Sequence, residues 1–296
     1  MKKTIIIRDT FAEAFPMKAS RLIITAHTKK WALEAANSFT GFATSVIACG
    51  CEAGIEKTLD GKFTPDGRPG VSILIFSMSQ KELAKQILNR AGQCIMTSPT
   101  SALFAGNFSD KKINLGNSLR YFGDGYQISK LINSRRFWRI PVMDGEFVCE
   151  EYAYQSSAIG GGNFLIIGQC IDALLKVTQE AVKQINKLDN VILPFPGGIV
   201  RSGSKVGSKY EGLIASTNFE YCPSLRGLVK SKLNQKNNYV LEVVIDGLNE
   251  DDIKNAMRVG MNSIVKSNNK FIDSISAGNY GGKLGPYLFK LKEIIK

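Results

Sequence analysis

Four times along these 296 residues a short β-rich run leads into an amphipathic helix and then into a second β-rich run that stops at glycine or proline. The first unit runs Leu22-Ile23-Ile24-Thr25, then a helix from Thr28 with Trp31, Ala32, Ala35, Ala36 and Phe39 on one face, then a strand over Thr44 to Ile47 broken by Cys49 to Gly54. The second starts at Val71 to Phe76; Ser79 with Glu82 makes a capping box for a helix bearing Leu83, Ala84, Ile87, Leu88 and Ala91, and a strand over Cys94 to Thr97 stops at Pro99. In the third, Phe164 to Ile167 precedes a helix aligning Ile171, Leu174, Leu175, Val182 and Ile185, and Val191 to Leu193 ends at Pro194. In the fourth, Tyr239 to Ile245, a helix through Ile253, Met257, Met261 and Ile264, and Phe271 to Ser276 end in a glycine-rich stretch.

Two successive units of this kind are what a β-α-β-β-α-β sandwich needs, so four predict an α+β protein of two ferredoxin-like lobes, each with an antiparallel sheet covered by helices. The less regular stretch from Ala105 to Ala158 separates the pairs and puts the boundary near residue 150, giving lobes 1–150 and 151–296.

Composition narrows the function class. The apolar runs are far shorter than the ~20 residues a membrane helix needs, and the apolar stretch after Met1-Lys2-Lys3 is too short for a secretory leader, which predicts a cytoplasmic protein. The six cysteines are scattered and read as reduced; Cys49 and Cys51 are too close for a common zinc pair and His27 is the only histidine, so no metal site is expected. The net charge of +12, from 38 Lys+Arg against 26 Asp+Glu, favours an anionic partner. No dense basic run or aromatic RNA-binding signature points to nucleic acid.

Three glycine-rich segments stand out. Residues 197–209 combine glycines, hydroxyls and basic side chains that can present N–H groups and charge to an anion, though the spacing is not that of a nucleotide P-loop. Ala158 to Asn163 permits close backbone approach or a β-bulge, and Gly278 to Gly285 repeats the theme around Tyr280. Glu242 is a carboxylate inside the apolar run Val240 to Ile245. In a cleft its pKa would rise to suit proton transfer; alternation also permits a solvent-facing position opposite Leu241, Val243 and Ile245.

Asp9 to Pro16, Thr64 to Gly70, Phe122 to Tyr126, Pro194 to Gly198, Ser202 to Ser208 and Ala277 to Gly282 together resemble the formylmethanofuran:tetrahydromethanopterin formyltransferases, a likeness spread from Asp9 to Phe289. The resemblance implies reversible formyl transfer between the amine of a methanofuran-type coenzyme and N5 of a tetrahydromethanopterin-type pterin. Both coenzymes are substrates, and no prosthetic group or metal is implied. It implies a homo-oligomer, dimer or tetramer, and association with hydrolase subunits related to formylmethanofuran dehydrogenase, in the oxidation of formaldehyde to formate. A noncatalytic scaffold subunit of such a hydrolase complex is the alternative.

By the same resemblance Glu242 is the candidate proton shuttle. Asn163, Ser202, Ser204 and Lys205 are candidates for orienting the coenzymes, and Pro196, Gly197, Lys209 and Arg68 are further candidates for binding them; both coenzymes carry anionic tails in this family, which Lys205 and Lys209 would meet.

Overall fold

The computed structural model describes residues 4–296; the basic start Met1-Lys2-Lys3 lies outside them. The chain forms two units, each with its own apolar core, so the architecture is α+β in two lobes.

In the N-terminal unit, β1 (Phe11–Thr25) leads into α1 (Lys29–Thr40), β2 (Glu52–Leu59), β3 (Gly70–Ser77), α2 (Gln80–Arg90) and β4 (Ala102–Ala105). β1 pairs antiparallel with β3 and β4, and β3 with β2, giving the order β4-β1-β3-β2 of a ferredoxin-like sandwich. Both helices start on side-chain caps: Thr28 Oγ1 accepts from Trp31 N–H at 3.3 Å and Ser79 Oγ from Glu82 N–H at 3.2 Å. Their apolar stripes bury Ala32, Ala36, Phe39, Leu83 and Ile87 against Leu22, Ile24, Ile73 and Ile75.

Two expected strands fall elsewhere. Thr44 to Ile47 has the β-branched composition of a strand, but Ser45 N–H bonds Pro194 O instead of a neighbouring ladder and Ala48 takes a positive φ of 69°; the strand is Glu52–Leu59. Cys94 to Thr97 instead extends α2 through a π-turn, Ala91–Ile95, which buries Ala91 and Ile95 in the core. The strand expected there is instead the wholly buried Ala102–Ala105.

The stretch expected to be irregular is also strand-rich. β5 (Ile128–Ile132), β6 (Arg135–Val142) and β7 (Gly145–Glu150) form an antiparallel meander whose last strand pairs parallel with β4. Glu150 is 2% exposed and receives Arg135 Nε at 2.8 Å, Arg135 Nη2 at 2.5 Å and Ala105 N–H at 2.9 Å. Glu150→Ala strips three donors of their acceptor and is expected to cost about 3 kcal/mol, the low end for breaking a buried pair because Arg135 keeps access to water. Chemical denaturation of the variant measures it.

The C-terminal unit repeats the plan with β8 (Ser156–Gly168), α3 (Ile171–Ile185), β9 (Val191–Ile192), β10 (Tyr239–Gly247), α4 (Glu250–Lys266) and β11 (Ile272–Ser276). The order β11-β8-β10-β9 is again antiparallel throughout. α4 starts on Asn249, whose Oδ1 accepts from Asp252 N–H at 2.9 Å, with Glu250, Asp251 and Asp252 complementing the positive end of its dipole. Leu174, Ala181 and Ile185 of α3 and Ile253, Met257 and Met261 of α4 pack on Phe164, Ile166, Leu241 and Val243 of the sheet. β12 (Tyr287–Lys290) pairs with Phe11 to Ala14 at the start of β1.

That last pairing explains how the units divide. The expected lobes were 1–150 and 151–296; the compact units instead join the stretch ending at Pro16, together with Ser45–Ala48, to Ile159–Lys296, and leave Met17–Thr44 and Cys49–Ala158 as the other. No helix among the described residues is long and apolar enough to cross a membrane.

Candidate active site

The site grows from the face of the C-terminal sheet that the helices leave free. In the β8–β10 register Leu165 lies opposite Glu242 and Asn163 opposite Val244, so Asn163 and Glu242 point to the same side, while Leu241, Val243 and Ile245 point into the helical core. The connection between β9 and β10 folds over that free side. Val200 pairs with Glu242 along the backbone, and the Tyr221 hydroxyl meets Ser276 Oγ at 2.9 Å. The result is a cleft of about 550 Å³ walled by Leu165, Arg201, Ser202, Asn218, Tyr221 and Glu242.

Glu242 is half-buried as a residue, but its carboxyl is desolvated, and burial raises its pKa to about 7. No hydrogen bond or ion pair holds that carboxylate among the described residues. It is therefore a group that exchanges protons near neutrality, as a general acid/base must.

Asn163 organises the backbone beside Glu242. Its Nδ2 donates to Gly161 O at 3.1 Å and Gly278 O at 3.2 Å, and its Oδ1 accepts from Gly278 N–H at 2.7 Å. A Cβ at Gly278 would lie 3.5 Å from Glu242 Oε1 and 3.3 Å from Asn163 Oδ1, so the backbone here runs directly past both side chains. The bulge before Asn163 needs Gly161, whose φ is +91° and whose N–H donates to the buried Asp246 at 3.1 Å.

The 278–285 loop forms the adjacent wall. Tyr280 Oη donates to Ser204 O at 2.7 Å, which ties this loop to the 201–217 segment. Burial and then the nearby Glu242 carboxylate push the Tyr280 hydroxyl pKa up, so it stays protonated at neutral pH. A second cleft of about 380 Å³ opens beside it, between Lys205, Phe219, Asn279, Tyr280 and Lys283. Lys205 lies 5.1 Å over the Phe219 ring.

The expected site residues distribute unevenly over this geometry. Glu242 and Ser202 line the first cleft, Lys205 lines the second, and Asn163 binds the loop between them. Ser204 takes part through its carbonyl rather than its hydroxyl. Pro196 and Gly197 form a turn after β9, with Gly197 at φ +61°, that lines neither cleft, and Lys209 is exposed beyond the strand Ser204–Val206. Arg68 belongs to the other unit, where its guanidinium bonds Asp66 Oδ2 at 2.8 Å, Thr100 O at 2.5 Å and Thr25 Oγ1 at 3.1 Å. Arg201 falls in the basic 197–209 segment but was not named as a site residue, and Asn218 and Tyr221 were not singled out from the sequence; they come from a connection without periodicity, where no local pattern marks which side chains turn inward.

Two clefts that share Asn218, with a neutral-range carboxyl in the first, suit direct transfer between two bound molecules. The chain as a whole matches known proteins. Residues 1–142 match the family model for formylmethanofuran-tetrahydromethanopterin formyltransferase, and residues 145–294 match that of its proximal lobe. A formylmethanofuran–tetrahydromethanopterin formyltransferase of Methylococcus capsulatus is 58% identical over 98% of this chain and 97% of its own. The solved formyltransferase of Methanosarcina barkeri superposes with a TM-score of 0.92 at 46% identity, covering 98% of both chains. A chain of the crystallised formyltransferase/hydrolase complex of Methylorubrum extorquens, solved with methylofuran, gives 0.93 at 46% identity over 98% of this chain and 96% of that one. With both lobes matched over nearly their whole length, the chain belongs to the formylmethanofuran-tetrahydromethanopterin formyltransferase family.

Proposed function

We propose that this chain moves a formyl group reversibly between the amine of a methanofuran-type coenzyme and N5 of a tetrahydromethanopterin-type pterin, with Glu242 as the proton shuttle. The observation that carries the assignment of Glu242 is its desolvated carboxyl, at a pKa of about 7, in the first cleft and close enough to Tyr280 of the second to raise that hydroxyl's pKa. In the direction towards the pterin, N5 attacks the formamide carbon and the new C–N bond forms as the N5 proton passes to the Glu242 carboxylate. The tetrahedral intermediate then collapses, the bond to the furan coenzyme's nitrogen breaks, and that nitrogen takes the proton back from Glu242. The acid and base roles exchange in reverse, which a pKa near neutrality permits.

Asn163, Ser202, Ser204 and Lys205 orient the coenzymes in this reading, Asn163 by holding Gly278 and Ser204 through its backbone. Lys205 and Lys283 at the second cleft suit an acidic tail. Lys205→Ala is expected to raise the KM of the acidic-tailed coenzyme about 3- to 5-fold, as loss of a partly solvated ion contact of ~1 kcal/mol should. The gap narrows as salt screens the pair. Equal KM values at low salt would remove Lys205 from tail binding.

The reaction is tested with the purified chain by following formyl-pterin loss and formyl-furan formation spectroscopically; no turnover with any furan coenzyme refutes it. We further propose a homo-oligomer, dimer or tetramer, that works in the cytoplasm and associates with hydrolase subunits, in formaldehyde oxidation. The Methylorubrum extorquens relative, crystallised as a formyltransferase/hydrolase complex, supports the hydrolase association. The six free cysteines accord with a reducing compartment.

A further inference from the structure

We propose that Glu13 is a positioning residue for formyl transfer: its carboxylate clamps the loop that carries Tyr280 and so fixes the wall of the site beside Glu242. Glu13 lies on β1 between Ala12 and Ala14, which face the core, so strand alternation aims its side chain the other way. It is fully buried, yet no Lys or Arg pairs with it among the described residues. Its partners are all backbone. Oε1 accepts from Tyr280 N–H at 2.6 Å and Gly282 N–H at 2.5 Å, and Oε2 from Leu284 N–H at 2.8 Å.

The spacing of those donors is the informative feature. N–H groups of residues 280, 282 and 284 converge on one carboxylate because Gly281 and Gly282 take φ of +73° and +78°, which curls the loop into an anion-binding concavity. The protein fills that concavity with its own carboxylate. Where the loop ends, Gly285 runs so close to β1 that an added Cβ would lie 2.2 Å from Ala14 O. At its start, Asn279 Nδ2 donates to Thr10 Oγ1 at 2.9 Å and Phe11 O at 3.0 Å. The side of the loop away from Glu13 carries the Tyr280 hydroxyl to Ser204 O and lines the second cleft. Glu13 touches neither cleft, so it acts through Tyr280. Anchoring a loop needs only apolar packing; three charge-assisted bonds to one carboxylate also set its geometry, which transfer between two bound molecules requires.

The inference rests on the activity proposed above, so the test separates the two. Wild-type turnover is measured first, and its absence refutes the activity. Amide hydrogen exchange on the wild-type chain then reads the clamp without any catalysis: slow exchange at Tyr280, Gly282 and Leu284 is expected, and exchange at the rate of open loops overturns the proposal even where a variant fails to fold. In the active enzyme, Glu13→Gln turns an amide donor towards the loop N–H groups, and kcat is expected to fall on the order of 10²-fold, more than either KM changes. Combined with Tyr280→Phe, the same substitution is expected to lower kcat less than ~3-fold further, because the two residues act through one contact. Equal losses in both backgrounds, or a loss confined to KM, would overturn the proposal.

Discussion

Glu242→Gln is expected to bind both coenzymes with unchanged affinity and to lower kcat at least ~100-fold, the usual loss when a general acid/base is removed. Gln has the size and shape of a protonated Glu, so the cleft keeps its form while proton exchange stops. Isothermal titration with each coenzyme and steady-state rates separate the two effects; a kcat within a few fold of wild type would take Glu242 out of the mechanism.

The same substitution carries a stability signature whose sign follows from the pKa. Burial raises Glu242 from 4.5 to about 7 in the folded chain, so between those values the folded state holds a proton the unfolded state has lost. Its contribution to stability is full below pH 4.5 and is lost as pH rises through 7. Glu242→Gln has no charge to bury, so it is expected to melt above wild type at pH 8, with the gap closing as pH falls towards 5. Thermal melts across that range check it, and a gap that widens on acidification would mean the carboxyl is stabilised as an anion.

Asn163→Ala is the second large effect, and it reaches both stability and rate. Asn163 is 6% exposed, and its amide makes three hydrogen bonds to the backbone of residues 161 and 278. Alanine leaves the Gly278 N–H and two carbonyls without those partners in the interior, an expected loss on the order of 2–4 kcal/mol. Gly278 passes directly beside Glu242, so its displacement is expected to lower kcat on the order of 10²-fold as well. Asn163→Asp separates the contributions: it keeps the acceptor for Gly278 N–H but points a second oxygen at the two carbonyls. It is therefore expected to be no better than alanine at neutral pH. Denaturant unfolding and kcat together test the pair, and Asn163→Ala with near wild-type kcat would confine the residue to the fold.

Much of the fold was legible because its signal is local and periodic. The stripe of α4, the Thr28 and Ser79 caps and the alternation around Glu242 depend on neighbours a few residues apart, and each lies where the pattern put it; the α3 stripe differs at Leu175, which is exposed and lines the first cleft. Two strands were misplaced where local composition lost to long-range partners. Ser45 bonds Pro194 rather than a ladder, and Ala91 to Ile95 gains more by continuing a helix into the core.

The family was readable from the chain itself, through motifs distributed along it, and so were the two sandwich lobes. The environment of Glu242 was not. Alternation places it opposite Leu241 and Val243 but cannot say whether that face meets water; the β9–β10 connection and the 278–285 loop, folding over the sheet, desolvate it. Nor does anything local to Glu13 reveal that its carboxylate would hold a loop 267 to 271 residues further on. A carboxyl's pKa and a loop's shape depend on which atoms surround them in space, and only tertiary structure brings those atoms together.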